Sequence, residues 1–241
     1  MYLEESLLPS VAERMPELRE HLGWLNHIAV PGVELRLANE PALLGGSRFG
    51  GPAFVPAGFE WPRHPQGVYR FLGQIAFAEI ADAPGSLPRG GLLALFHAWD
   101  EDGEIFWRDD DYVIGFHWPD TTGHEELGAP GGVGPAVALA MRAVKVLPRH
   151  RELRTDWPFD TRLLEGLVEE LPSSVDYLLG VPDFNSLAYD PTPGPDWVSL
   201  LTVRSHDELD WCWHDGDTLM VFVERERLAR ADFSRLCCDA G

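Results

Sequence analysis

The sequence predicts an α+β protein: mostly antiparallel sheets from two weakly similar halves, with an N-terminal helix and a central helix. Three observations carry that prediction. Short apolar runs rich in β-branched and aromatic residues follow one another along most of the chain, bounded by Gly, Pro and Asp turn chemistry. Helical periodicity is confined to two segments. The strands are grouped apart from the helices rather than alternating with them, which argues against a βαβ parallel sheet.

In chain order, SVAERMPELREHL (10–22) sets Val11, Met15, Leu18 and Leu22 on one helical face, with Ser10 as N-cap and Pro16 as a point of interruption. Strands are expected at FLGQIAF (71–77), GLLALFHAW (91–99), EIFW (104–107), YVIGFHW (112–118) and ALAMRAVKVL (138–147). The central helix comes next. Asp160 caps DTRLLEGLVEEL, its apolar stripe is Leu163, Leu164, Leu167, Val168 and Leu171, and Pro172 ends it. VSLLTV (198–203) and DTLMVFV (217–223) complete the strands. Asp102-Gly103 and Asp215-Gly216 are hairpin signals, because Gly supplies the positive φ that such turns need.

The two halves are related by a weak repeat. GGPAFVP (50–56) is matched by GVPDFNS (180–186), FLGQIAF by LLTVRS with Leu72 opposite Leu201 after a short gap, and GGLLALF (90–96) by GDTLMVF (216–222). Gly90 then faces Gly216, and Phe96 faces Phe222. Self-similarity at a roughly constant spacing suggests symmetry-related units. The loops APGGVGP (129–135) and DPTPGPDW (190–197) are too short to separate independent domains. Residues 1–241 are therefore expected as a single domain, with a duplication over about 45–125 and 175–236.

Charge narrows the function. Nineteen basic residues against thirty-nine acidic ones leave a net charge of −20. Such a surface repels phosphate backbones, so nucleic acid is not expected as a partner. It attracts a basic protein partner, or it serves only to keep the chain in solution. Cys212, Cys237 and Cys238 form neither a disulfide framework nor a metal-binding spacing. The N-terminal segment is acidic where a signal peptide is basic, and no apolar run approaches a membrane span. A cytoplasmic location with no membrane association follows as an expectation.

No catalytic constellation emerges, and neither a metal nor a cofactor is expected. The nine histidines lack the spacing that places two imidazoles on one helical face. DEDGEIFWRDDD (100–111) has Gly103 in the wrong register for a calcium loop and reads as a solvated acidic hairpin. GGSRFGG (45–51) lacks the Lys-Ser/Thr of a phosphate-binding loop. His214 beside Asp215 and Asp217 offers acid/base groups, but the same trio suits a hairpin tip. Nine tryptophans, several near Gly or Pro, suit a recognition surface or staples over the core. Trp211 and Trp213 are expected on one face of a strand, with Cys212 on the other.

SRFGGPAFVPAGFEWP (47–62), FLGQIAF, LPRGGLLALFH (87–97), LLGVPDF (178–184) and DTLMVFVERERLARADFSRL (217–236) together resemble the YwqG-like family of bacterial proteins of unknown function. The resemblance covers roughly residues 45–236. It implies one α+β domain with two related halves, no established activity and no catalytic residues to carry over. The second half departs from the family pattern, with Thr202 where a Gln is usual and Arg204 where an acid is usual; Gln74 in the first half is kept.

Two functions follow as expectations. The first is a non-enzymatic, protein-binding module of immunity or regulatory type. The second is a small-molecule binder or enzyme with a cleft between the halves. Arg48, Trp61, Gln74 and His97 would line one side of that cleft, and Trp211, His214 and Asp217 the other. Within RFGGPAFVPAGFEWP, Arg48 and Trp61 are the residues that architecture alone does not require.

Overall fold

Apolar runs separated by tight turns have few ways to bury both faces, and here they join edge to edge in one continuous sheet. The computed structural model describes residues 3, 8–130, 132–148, 156–171, 176–183 and 186–241. Among them are strands β1 (Val30–Leu37), β2 (Arg48–Gly50), β3 (Ala53–Pro56), β4 (Val68–Ala76), β5 (Leu92–Trp99) and β6 (Val113–Trp118). They are followed by β7 (His124–Leu127), β8 (Ala136–Val146), β9 (Tyr177–Leu179), β10 (Trp197–Arg204), β11 (Thr218–Glu224) and β12 (Leu236–Ala240). Ten of these strands run in the order β12-β11-β10-β9-β1-β8-β2-β4-β5-β6, while β3 and β7 make a separate ribbon. Every pairing is antiparallel.

The sheet curls until its edge strands β6 and β12 lie against each other, giving a nearly closed, barrel-like form. Gly115 permits that approach, since a Cβ there would stand 3.1 Å from Phe233 and 3.2 Å from Leu236. Near-closure hides most of the unpaired edge that an open sheet would expose. The largest core cluster includes Val33, Leu35, Phe49, Leu95, Phe96, Leu201 and Val221. Each fully buried Phe or Leu there contributes about 1.5–3 kcal/mol.

Helices α1 (Leu8–Arg14), α2 (Leu22–Ile28) and α3 (Thr161–Glu170) bury a second cluster around Val11, Leu18, Leu25, Leu147, Leu164 and Leu167. Helix α4 (Arg225–Ala229) follows β11 directly. α3 begins as expected, with Asp160 accepting the Arg162 amide at 2.8 Å. Pro172 lies outside the described residues.

Three expectations are corrected. The single helix over 10–22 is divided into α1, a 3₁₀ turn over Pro16–His21 and α2. Pro16 has no N–H and its ring clashes one turn back, so it starts a new segment instead of continuing the old one. EIFW forms no strand. The Asp100 carboxylate takes the Glu104 and Ile105 amides at 2.9 and 2.8 Å, and Asp109 takes the Phe106 amide at 2.8 Å, so that a strand ladder has no free donors there. Trp211 and Trp213 are buried and Cys212 is exposed, as alternation requires, but the segment is a connection outside any strand.

Outward from the β1–β8 pair the sheet reads alike in both directions: β2, β4, β5, β6 on one side and β9, β10, β11, β12 on the other. β4 bulges at Leu72 and β10 at Leu200. With those bulges, Phe71 sits opposite Phe96 and Ser199 opposite Phe222. Gly50-Gly51 and Leu179-Gly180 are consecutive positive-φ pairs at the ends of β2 and β9. Ser47 Oγ accepts the Ala76 amide as Asp176 Oδ1 accepts the Arg204 amide, both at 2.9 Å. The Ser47 and Asp176 carbonyls accept the amides of Leu139 and Leu35 at 3.0 and 2.8 Å.

Candidate functional site

Arg48 and Gln74 face each other across β2 and β4, and both are buried. Arg48 Nη1 donates to the Leu43 carbonyl at 2.8 Å and Nη2 to the Pro52 carbonyl, while Glu126 stands 3.8 Å away. Burial lowers the Arg48 pKa and Glu126 opposes that shift, but a guanidinium stays protonated in proteins. Nε has no hydrogen-bond partner among the described residues. Gln74 accepts the Phe54 amide at 3.1 Å and donates to the Gly46 carbonyl at 2.8 Å. The pair thus fastens the 43–54 segment to the sheet. Trp61 Nε1 donates to the Tyr69 carbonyl at 2.8 Å, and its ring stands edge-on to Phe96 at 5.2 Å. Arg48 and Trp61, read from sequence as free of architectural duty, both have architectural partners.

His97 is buried on β5 with its Nδ1 3.2 Å from the Ala98 carbonyl. Burial pushes its pKa down to about 4, so the ring is neutral at pH 7. The connection from β10 to β11 carries Trp211 and Trp213 inward. Trp213 stands edge-on to His97 with centroids 5.1 Å apart, and Trp211 meets Phe49 of β2 at the same distance. The two indoles are 5.6 Å apart.

Next to Trp211 lies a pair that sequence reasoning missed. His206 Nε2 is 2.7 Å from Asp176 Oδ2, and both side chains are buried. The same carboxylate accepts the Arg204 amide, tying β9 to the end of β10. No local pattern signals the pair, because thirty residues separate its members.

His214 and Asp217 form the most exposed group. His214 Nδ1 is 3.1 Å from Asp217 Oδ2, and Ser186 Oγ donates to the same oxygen at 3.0 Å. Trp107 meets the imidazole edge-on at 5.6 Å, and Asp215 is 3.9 Å from Nδ1. A carboxylate on Nδ1 orients the ring as it would for proton transfer or ligand binding through Nε2.

The seven residues therefore fall into groups: Arg48 with Gln74, His97 with Trp211 through Trp213, His214 with Asp217, and Trp61 against Phe96. A groove of about 580 Å³ is found elsewhere, lined by Leu8, Pro9, Ala12, Leu22, Gly23 and Asn26 of the helical layer. Among the described residues, no three His, Cys, Asp or Glu side chains converge as a metal site would require. No helix among them is long and apolar enough to cross a membrane.

These features define a class: an α+β protein on a nearly closed antiparallel sheet, with Arg48, Gln74, Asp176 and His206 buried and hydrogen-bonded within the fold. More particularly, the chain belongs to the family described as a domain of unknown function (DUF1963), whose model matches residues 47–240. No match is found among curated proteins.

Proposed function

We propose that the chain is a non-enzymatic, cytoplasmic protein-binding module of immunity or regulatory type, with a basic protein as partner. The observation that carries this reading is where the polar groups go. Arg48, Gln74 and the His206–Asp176 pair are buried and bonded within the fold, while the surface keeps most of a net charge of −20. Internally satisfied groups stiffen a scaffold, and an acidic surface steers a basic partner toward it. Affinity purification of the tagged full-length chain from its native host, at low and at high salt, tests it. A stoichiometric basic protein that dissociates at high salt is expected; recovery of no stoichiometric partner overturns the reading.

A second reading is a small-molecule binder or enzyme, favoured by the His214 imidazole that Asp217 orients beside Trp107. Arg48, Trp61, Gln74 and His97 would serve it from one half, and Trp211, His214 and Asp217 from the other. Thermal-shift screening of metabolites against the parent and His214→Ala is its test. A hit lost in the variant supports it, and no hit counts against it.

The two halves, about 45–125 and 175–236 of one domain, form part of the same proposal. The mirrored strand order, the bulges at Leu72 and Leu200 and the paired positive-φ turns support descent from a duplication. Closer kinship to the bacterial YwqG-like proteins rests on the segments that resemble them.

A further inference from the structure

The negative charge is unevenly distributed. Residues 100–111, between β5 and β6, hold seven acids and one arginine, a net of −6 out of −20 for the whole chain. The loop is pinned in shape. Besides the bonds from Asp100 and Asp109 to its own amides, the Tyr69 hydroxyl donates to the Asp111 carbonyl at 2.6 Å. The Cys238 thiol donates to the Trp107 carbonyl at 2.7 Å. Ile105 is buried against Gly67, where an added Cβ would stand 2.9 Å from its side chain and 2.4 Å from the Trp99 carbonyl. The single cation, Arg108, is engaged with Asp239 at 3.5 Å and with the Tyr189 hydroxyl at 3.4 Å.

Bulky apolar side chains stand beside these charges. Val68 and Trp99 are direct partners at the end of the β4–β5 pair and are 46% and 38% exposed. The Arg70 guanidinium lies 3.6 Å from the Trp99 ring and steadies the indole. Phe106, next to the buried Ile105, is 56% exposed. Glu101, Asp102, Glu104 and Asp110 are exposed on the same loop. Single exposed apolar residues are ordinary, but three on a pinned loop and its adjoining strand ends, beside seven acids and with Arg70 and Arg108 as nearby cations, have the make-up of a binding surface.

We infer that this surface docks a cationic, amphipathic segment of a protein partner, in which Lys or Arg flanks one or two bulky apolar side chains. The inference rests on the protein-binding reading above and gives it a place. Phe106 and Trp99 supply desolvated anchors, which control how slowly a complex dissociates. The acidic rim sets the approach rate and rejects acidic segments. A loop already fixed by its own hydrogen bonds loses little entropy on binding.

The test selects random peptides, displayed on phage, against the immobilised full-length chain. Enriched peptides are expected to combine Lys or Arg with Trp, Phe or Leu. Their affinity should fall about tenfold or more in Phe106→Ala and in the combined Glu101→Lys, Asp102→Lys, Asp110→Lys chain, and the second variant should also flatten the salt dependence. Leu43→Ala with Leu44→Ala, exposed elsewhere, should leave affinity unchanged within about twofold. Circular dichroism melting verifies that each variant is folded. Neutral Gln and Asn replacements at the three acidic positions take over if charge reversal unfolds the chain.

No enrichment, enrichment of non-basic peptides, or equal binding by parent and variants overturns the proposal. A native partner retained by both variants removes this surface but leaves the protein-binding reading standing. Failure to find any native partner, with peptides still dependent on Phe106, removes that reading instead. Concentration-dependent dimerisation abolished by the same variants identifies a second copy of the chain as the occupant and also overturns the proposal.

Discussion

The imidazole of His97 meets the indole of Trp213 edge to face, with centroids 5.1 Å apart and planes at 85°. One ring comes from the middle of the β4–β5–β6 side of the sheet and the other from the connection after β10. The contact holds the β10–β11 connection against β5.

That burial has a pH signature. The His97 pKa is held at about 4 by desolvation, opposed by the Ala98 carbonyl and reinforced by Arg70, against 6.5 in the unfolded chain. Between those values the unfolded state binds more protons than the folded one, so stability falls as pH falls from 6.5 toward 4. His97 alone should remove about 3 kcal/mol by the acid end of that window, and nothing above it. Urea unfolding at pH 7 and pH 4 should show a shallower pH dependence in His97→Leu. Equal slopes in variant and parent would refute the assignment.

Gln74 and Thr202 each lie two residues past a bulge, on β4 and β10, with different duties. Gln74 satisfies the Phe54 amide and the Gly46 carbonyl, whereas the fully buried Thr202 makes one side-chain hydrogen bond among the described residues, with Ser199 Oγ at 3.3 Å. Gln74→Leu should cost about 2–3 kcal/mol, and Thr202→Val about 1 kcal/mol or less. Chemical denaturation of both variants ranks them; the opposite order would show that the Gln74 bonds are dispensable.

Gly50 has φ +62°, and a Cβ there would come 2.2 Å from the Pro135 carbonyl oxygen. Gly50→Ala should therefore lose more than the ~1 kcal/mol that a left-handed conformation alone costs an L-residue. Gly58→Ala is the comparison, because its φ of +80° comes with open space. Similar melting temperatures for the two would show that the β2 turn can relax.

The three thiols should separate by reactivity. Cys212 is exposed, burial raises the Cys237 pKa, and burial pushes the Cys238 thiol well above its ordinary value. Because the thiolate is the reacting species, an aromatic disulfide reagent should titrate one thiol quickly and Cys238 only on unfolding. Cys212→Ser should abolish the fast phase; its persistence would contradict the exposure.

How much was legible depended on how local each signal was. The helix capped by Asp160 and the strands β4, β5, β6, β8, β10 and β11 carry their periodicity in their own residues, and the structure places elements there. β2, β3 and β9 are three or four residues long, too short for any period, and β12 reads LCCDA. EIFW has strand composition, but neighbouring carboxylates took its amides. The candidate site was less legible than the fold. Arg48 looked free because its partners are carbonyl groups, which every residue has, and the His206–Asp176 pair depends on two chain segments meeting.

The α+β class and the acidity are legible in the chain alone, because hydrophobic period, charge and turn chemistry are properties of neighbouring residues. Packing of distant segments settles that ten strands form one nearly closed sheet, that Arg48 and His97 are buried, and that Phe106, Trp99 and Val68 stay exposed beside the acids of the 100–111 loop. Those outcomes depend on long-range strand pairing, whose order and register are set by packing across the whole chain.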